Sequence, residues 1–540
     1  QANLFDKAKQ QPEKVKMVLE KLKSEGIAST FEAVMSRMNE PLEMGYCNVG
    51  VVLEGPKNGF KKGTRVVSNG GHSTCVTVNQ NLVAAIPDDV TDEEAVFVVP
   101  SSIALQGIRL IKPEIGESYV VIGLGLIGLL TAQILKANGC NVIGVDPDAS
   151  KREIASSYGI ETFETAKQLL NNALIPNQAG YDGVLITASS KSNDIIKESA
   201  TLCRKRGKIV LIGVVGLDID RSDFYEKEIT FQVSCSYGPG RYSKNYEELG
   251  LDYPIEFVRW TENRNFQAVL DLMSEKKIQV NKMSSSNYIL EDSKKAYQEL
   301  STSNSLGIIL NYQNEEIKRT IQINNNSAKT AINKPKVSFI GAGNYATRVL
   351  MPIFKKVGFD FETIASKGGV SSTLFGEKYN FKSITTDIDV VMKDKSDLVV
   401  IATRHNMHAE QACLALKNNK NVFVEKPLAL TKESLKDVEK AYEESDKQLI
   451  VGFNRRFSPL IDKAKSLLET IKAHKSFIAT MNAGRVPLDH WTLDKEIGGG
   501  RIVGEACHYI DLLTFLSGSP IVEIKSIYMG NESNITKDTS

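Results

Sequence analysis

Two glycine-rich turns stand far apart in one chain of 540 residues. The first, V-V-I-G-L-G-L-I-G, holds Gly123, Gly125 and Gly128; the second, V-S-F-I-G-A-G-N-Y-A, holds Gly341, Gly343 and Ala346. Each follows a short apolar run and opens an amphipathic segment, the strand–turn–helix setting in which such a turn cradles a dinucleotide. The first glycine permits a tight bend and the second lets backbone approach a pyrophosphate. The third, small residue lets helix and strand pack closely, while the helix N-terminus adds a positive dipole. One such turn is weak evidence, because a tightly packed strand–helix corner with no ligand has the same look. Two of them, followed by different motifs, predict two nicotinamide-dependent units in series.

A chain this long holds two to four domains. Its 42% hydrophobic and 24% charged content is that of a soluble globular protein. A net charge of +1 gives no basic footprint for nucleic acid. No apolar run reaches the length of a membrane span, and no signal-peptide core opens the sequence. Seven scattered cysteines without a C-x-x-C pair read as reduced thiols, hence a cytoplasmic setting. Assembly as a homo-oligomer stays open.

The texture changes along the chain. Residues from Phe5 to Met38 are charged and helix-periodic. From Gly45 to Ala85, short β-type runs (V-G-V-V-L-E, T-R-V-V-S, C-V-T-V, L-V-A-A-I-P) suggest a small barrel. Beyond Pro113, strands alternate with helices, the pattern of a parallel sheet covered on both faces. The organisation expected is an N-terminal barrel region over 1–104, a dinucleotide-binding domain over 105–250 and a return segment over 251–316. A polar linker follows over 317–334, then a second dinucleotide-binding domain over 335–452 and an α/β domain over 453–540. Within the last, F-I-A-T-M-N-A-G-R-V and V-E-I-K-S-I-Y-M-G read as strands.

In the first half, V-I-G-V-D-P-D ends a second strand at Asp146, where a carboxylate accepts both ribose hydroxyls of NAD and repels the 2′-phosphate of NADP. The segments G-Y-C-N-V-G-V-V-L-E, F-K-K-G-T-R-V-V, A-A-I-P-D-D-V-T-D-E-E-A and the G-L-G-L-I-G turn resemble the medium-chain, zinc-type alcohol dehydrogenases over residues 41 to 312. The resemblance implies a GroES-like barrel beside the NAD domain. Where the family carries G-H-E, this chain has Gly45-Tyr46-Cys47, and the four-cysteine zinc lobe is missing. His72 and Cys75 lie in a β-type run at a spacing that separates them onto opposite faces, so no metal site is expected. Hydride chemistry here needs another acid, for which Tyr46 is one candidate; the alternative is an NAD-binding scaffold without chemistry.

In the second half the strand after the turn ends I-A-S-K, so Ser366 and Lys367 take the acid's place and leave NAD and NADP both open. A-T-R-H-N-M-H-A-E and V-F-V-E-K-P-L-A-L put Thr403, His408, Glu425 and Lys426 at carboxyl ends of strands, the ligand crevice of an open α/β sheet. His405 lines the same crevice, and His474 reads as surface. If G-G-G-R-I-V-G-E-A-C-H-Y-I-D is helical from about Arg501, Glu505 and His508 share one face. The glycine turn, the E-K-P triplet and G-G…H-x-x-D, in this order, resemble the Gfo/Idh/MocA oxidoreductases from about residue 335 onward. That resemblance implies that Lys426 holds substrate near the nicotinamide and that His508 exchanges a proton with it. An imidazole suits removal of a hydroxyl proton during hydride transfer, and an ammonium stabilises the alkoxide. Many family members have an aspartate where this chain has Gly504, which leaves Glu505 to take over part of its role.

The order of the halves, with S-Y-G-P-G-R-Y and V-R-W-T-E-N-R between them, resembles bacterial bi-domain oxidoreductases associated with cell-surface polysaccharide gene sets. It implies an NAD(P)-dependent enzyme acting on a sugar or nucleotide-sugar, with chemistry mainly in the C-terminal half. The alternatives are a non-catalytic dinucleotide-binding scaffold or redox sensor, or two halves that recycle one cofactor between them. The expected fold is α/β, with two Rossmann-type doubly wound parallel sheets in series. A partial GroES-like barrel stands on the N-terminal side and a truncated α+β open-sheet domain at the C-terminus. Both ends read as cut, so exposed sheet edges and a tendency to aggregate are expected.

Overall fold

A computed structural model describes residues 43–170, 179–303, 305–313, 319–324, 334–481, 486 and 490–527. The helix-periodic stretch from Phe5 to Met38 lies outside the described residues. The chain divides into two compact units, one spanning Leu42–Ile317 and one that includes Lys318–Ser540.

The first unit opens on a small antiparallel sheet of β1 (Asn48–Val51), β2 (Arg65–Ser68) and β3 (Val83–Ala85), where the barrel is expected. The C-V-T-V run is not a strand: residues 72–75 are bends and 76–78 have no regular structure. A parallel sheet follows: β4 (Ser118–Ile122), β5 (Asn141–Val145), β6 (Glu161–Phe163), β7 (Tyr181–Ile186), β8 (Cys203–Leu211) and β9 (Thr230–Val233). Its order is β6-β5-β4-β7-β8-β9, the doubly wound arrangement that reverses beside its first strand. Helix α1 (Val98–Ile111) crosses the expected boundary at residue 104 and is buried over most of its length. Its Val98, Ala104, Leu105 and Ile108 share one core with Val67 and Ala84 of the small sheet, Val121 of the large one, and Phe266 and Val269. Helix α2 (Leu126–Ala137) follows the first glycine turn. Helix α3 (Glu262–Ser274) starts at Thr261, whose side chain accepts the Arg264 N–H, and buries Phe266, Val269, Leu270 and Met273 at helical spacing. β10 (Ser284–Ile289) and β11 (Gly307–Asn311) pair in parallel apart from the main sheet. Shared packing thus makes one unit of residues that the sequence divided among three domains.

The second unit is a seven-stranded sheet of β12 (Thr320–Gln322), β13 (Lys336–Ile340), β14 (Asp360–Ala365), β15 (Ser383–Thr385), β16 (Leu398–Ile401), β17 (Asn421–Val424) and β18 (Leu449–Val451). Its order is β12-β15-β14-β13-β16-β17-β18, parallel except for β12. That strand corrects the linker expected over 317–334: T-I-Q pairs antiparallel with β15 and caps an otherwise open edge. Phe339, Phe361 and Phe381 stack within the core on one face of this sheet. Beyond β18 the described residues are helical or irregular. Residues 477–481 and 519–527 form no strand, contrary to expectation, and Val522, Ile524 and Ile527 are exposed. Without a neighbouring strand to pair with, an alternating apolar run makes no ladder. Among the described residues no helix is long and apolar enough to cross a membrane.

Candidate functional site

Both turns form at the topological switch point of their sheets, where an open α/β sheet leaves a crevice. Gly123 has φ +95°, and a Cβ there would lie 2.6 Å from the Ala188 nitrogen. Its N–H donates to the Val145 carbonyl at 2.8 Å, and the Gly123 carbonyl accepts the Thr187 hydroxyl at 2.6 Å. A Cβ on Gly128 would overlap the Gly123 carbonyl oxygen, whereas one on Gly125 would meet nothing within 4 Å. The close approach of helix to turn is therefore on the protein side, and the open space on the ligand side. Asp146 is buried; its carboxylate accepts the Leu124 N–H at 2.6 Å and the Asp148 N–H at 2.9 Å, which ties it to the turn. Each carboxylate oxygen keeps a lone pair for a ribose hydroxyl.

Tyr46 is half exposed. Cys47 donates its S–H to the Val96 carbonyl at 2.8 Å, and burial pushes its pKa up to about 12. His72 sits against Gly45, in a bend and not on a strand as expected. Among the described residues no cluster of three His, Cys, Asp or Glu side chains is placed to hold a metal ion.

The second turn repeats the backbone with different chemistry around it. Gly341 has φ +103° and donates its N–H to the Ala365 carbonyl at 2.9 Å; Gly343 faces open space. Ala346 is buried and begins a π-type turn, Ala346–Leu350, that runs into α4 (Met351–Val357). A cavity of about 250 Å³ lies beside this turn, walled by Ala342, Gly343, Asn344, Val370 and Phe375. Ser366 follows β14 and donates its hydroxyl to Ser372 at 3.0 Å, while Lys367 is exposed.

The ends of β16 and β17 gather the remaining residues. Thr403 donates to the Gln411 amide oxygen at 2.9 Å. His408, first residue of α5 (His408–Lys417), is buried with Nδ1 2.8 Å from the Pro427 carbonyl and Nε2 3.2 Å from the Thr403 carbonyl, so it braces the two loops. His405 is likewise buried, its Nδ1–H donating to the Gly498 carbonyl at 2.7 Å and its ring edge-on to Trp491. Glu425 is buried, with one oxygen that has no partner; burial raises its pKa to about 7 against the opposing charge of Lys426.

Lys426 reaches across to the segment before α6 (Cys507–Ser517). Its ammonium donates to the Gly504 carbonyl at 2.8 Å and to Glu505 Oε1 at 3.3 Å. The helix begins at about Arg501 as expected, but Ile502–Ala506 takes π-type geometry before regular α-geometry resumes at Cys507. A Cβ on Gly504 would come 3.1 Å from the Gly498 carbonyl oxygen and 3.2 Å from the His405 ring, so the space of the absent aspartate is filled by His405. His508 is buried with Nδ1 unpartnered; burial, then Lys426 and Arg455, lower its pKa to about 4, against Glu505 and Asp511. Asp511 is itself held by Arg456. At neutral pH His508 is an uncharged imidazole beside an ammonium, able to accept a proton but slow to keep one. Sequence reasoning missed Arg455 and Trp491, which carry no motif and matter only through packing.

Residues 335–453 match the oxidoreductase family with an NAD-binding Rossmann fold, and residues 127–250 match the zinc-binding dehydrogenase family. The chain is 32% identical over 149 residues to a 1-carboxy-3-chloro-3,4-dihydroxycyclohexa-1,5-diene dehydrogenase of Comamonas testosteroni, covering 27% of this chain and 37% of that one. It is 30% identical over 182 residues to a D-xylulose reductase of Saccharomyces cerevisiae, covering 31% and 49%. It is 24% identical over 258 residues to a sorbitol dehydrogenase of Halalkalibacterium halodurans, covering 46% and 68%. The chain thus spans less than half the length of the first two of these relatives. With both family segments in place, the chain joins a zinc-binding-dehydrogenase domain to an NAD-binding Rossmann oxidoreductase domain.

Proposed function

We propose that the protein is an NAD(P)-dependent oxidoreductase acting on a hydroxyl or ketone of a sugar or nucleotide-sugar, with its chemistry mainly in the C-terminal unit. The observation that carries this reading is the placement of Lys426 between Glu505 and the Gly504 carbonyl, where its charge also bears on His508. A bound dinucleotide supplies the nicotinamide ring that takes or gives the hydride. Lys426 orients the reacting oxygen and stabilises negative charge on it. His508 accepts the hydroxyl proton in the oxidising direction, and its low pKa keeps it ready to do so across the neutral range. Glu505 holds Lys426 in place. Gly341, Gly343 and Ala346 cradle the dinucleotide, with Ser366, Thr403, His408 and Glu425 around it; Gly123, Gly125, Gly128 and Asp146 hold NAD in the first unit. Similarity to a D-xylulose reductase and a sorbitol dehydrogenase supports a sugar-like substrate. A cytoplasmic role in surface-polysaccharide synthesis belongs to the same reading.

The test is Lys426→Ala in the full-length protein, assayed against a nucleotide-sugar panel with each cofactor. The expected outcome is a fall in turnover of about 10²–10³-fold with dinucleotide affinity retained. Unchanged turnover ends the assignment. In the oxidising direction the rate should rise with pH through about 4 and then level, because His508 must be neutral to accept the proton. A second reading, a dinucleotide-binding scaffold without chemistry, is favoured by Gly504 and by the protonated Cys47 thiol, and it leaves the whole panel unturned.

A further inference from the structure

The first unit holds a second concave site that neither glycine turn explains. Trp260 carries a guanidinium over its ring on two sides: Arg109 Cζ lies 3.4 Å and Arg259 Cζ 3.9 Å from the ring centroid. Two guanidinium groups at those heights on one face would overlap, so they occupy opposite faces of the indole. Neither has a carboxylate within ion-pair distance among the described residues. Arg109 donates its Nε–H to the neutral Asn265 amide at 2.7 Å, and burial followed by the charge of Arg259 pulls its pKa down to about 10. Two like charges held this close raise the free energy of the empty site, and an anion beside them lowers it.

A cavity of about 350 Å³ opens on the Arg259 side, walled by Arg259, Trp260, Asn263, Gln267 and Tyr246. Thr261 and Asn263 on its wall are the first residues around the N-terminus of α3, a helix of 13 residues whose dipole points its positive end there. Two carboxylates, Asp252 and Asp271, stand on the same wall. Asp252 is taken by Arg264. Asp271 is exposed in the third turn of α3. Glu262 is fully buried, and burial together with the charge of Glu247 raises its pKa to about 8 despite Arg241, so it is largely uncharged at neutral pH.

We infer that this cavity binds a phosphate dianion, free or as the phosphate monoester of a small polyol, with Arg259 as its direct partner and Arg109 reinforcing it through the indole. A phosphate monoester carries close to two negative charges at neutral pH, matching the two uncompensated guanidinium groups. The site lies in the first unit and does not depend on Lys426 or His508.

The chain has two tryptophans, so Trp491→Phe leaves Trp260 as the sole indole reporter. Its emission would be titrated at constant ionic strength with glucose 6-phosphate, inorganic phosphate and glucose. Saturable change with glucose 6-phosphate and none with glucose is expected, with a Kd below about 1 mM. Equal affinity for inorganic phosphate assigns the site to free phosphate, and clearly tighter binding of glucose 6-phosphate to a sugar phosphate. Adding Arg259→Ala, an exposed position, should weaken binding about 10-fold or more, read as the ligand-dependent change from that variant's own ligand-free emission. Arg259→Lys, which keeps the charge and loses the planar stack, should fall between. No response to either phosphate, an equal response to glucose, or Arg259→Ala binding as tightly as the parent overturns the inference.

Discussion

The two glycine turns share a backbone and differ in what surrounds it. Both bend at a glycine with φ near +100° and leave the next glycine facing open space. The first then fits Gly128 against its own carbonyl and fastens Asp146 to Leu124. The second accepts a methyl group at Ala346, passes into a π-type turn there and follows the neighbouring strand with a neutral serine. Around the first stand a half-exposed tyrosine and a partly buried thiol. Around the second, an ammonium, a carboxylate and a neutral imidazole converge. Cradling a dinucleotide is thus a backbone property that two sequences reach alike, whereas proton transfer rests on side chains delivered from a distant segment.

The sharpest way to break this comparison is Gly128→Ala. The added methyl would overlap the Gly123 carbonyl, and backbone gives way far less readily than a side chain. The first unit should lose about 4 kcal/mol or more, the range kept for severe steric faults. Calorimetry should show one transition moving down and the other unmoved, with dinucleotide stoichiometry falling by one. Two unmoved transitions would mean that the two cradles tolerate the same chemistry after all.

Next in size are the buried acids, one in each unit. Glu262 and Glu425 have pKa values raised to about 8 and about 7 by burial. A raised carboxyl pKa means that the unfolded chain ionises first, so the stability each contributes is whole below pH 4.5 and is lost as pH climbs through the folded value. Glu262→Gln should therefore stabilise the first unit at pH 8.5 by on the order of 3 kcal/mol, and Glu425→Gln the second by on the order of 2 kcal/mol. At pH 5 both differences should nearly vanish. Urea unfolding at the two pH values checks this, and a gain that is the same at both would refute the ionisation argument.

Much of this was legible in the sequence, and the reason is local. Gly123 and Gly341 announce their bends because few other residues adopt that φ, and Asp146 follows at the spacing of one βαβ step. Lys426 and His508 were readable as a motif, but their meeting was not. It depends on a π-type turn at Ile502–Ala506 that no periodicity reveals, and on His405 filling the space above Gly504. The T-I-Q strand read as linker because three residues with one apolar member have no alternation to show; the edge of β15 made them a strand. The domain boundary near residue 104 failed for the opposite reason, since α1 is apolar on nearly every side and belongs equally to both neighbours.

Smaller effects sharpen the comparison at the ribose and at the helix start. Asp146→Ser should relax the preference of the first site for NAD over NADP by about 10-fold, and Ser366→Asp should impose a similar preference on the second. Competitive binding titrations read both. If Ser366→Asp leaves NADP affinity unchanged, that strand end does not face the ribose.

Ala346→Gly gives the smallest expected change and the most telling one. If the methyl only fills space, removing it costs about 1 kcal/mol, the helix propensity of alanine over glycine, and the second transition falls slightly with binding intact. If the methyl is what holds the π-type opening apart from the Gly341 carbonyl, its removal lets the helix tighten toward the geometry of the first turn. Dinucleotide affinity in the second unit would then shift toward that of the first, by more than the stability change accounts for. The two outcomes distinguish a turn that merely tolerates alanine from one whose helix start is built around it.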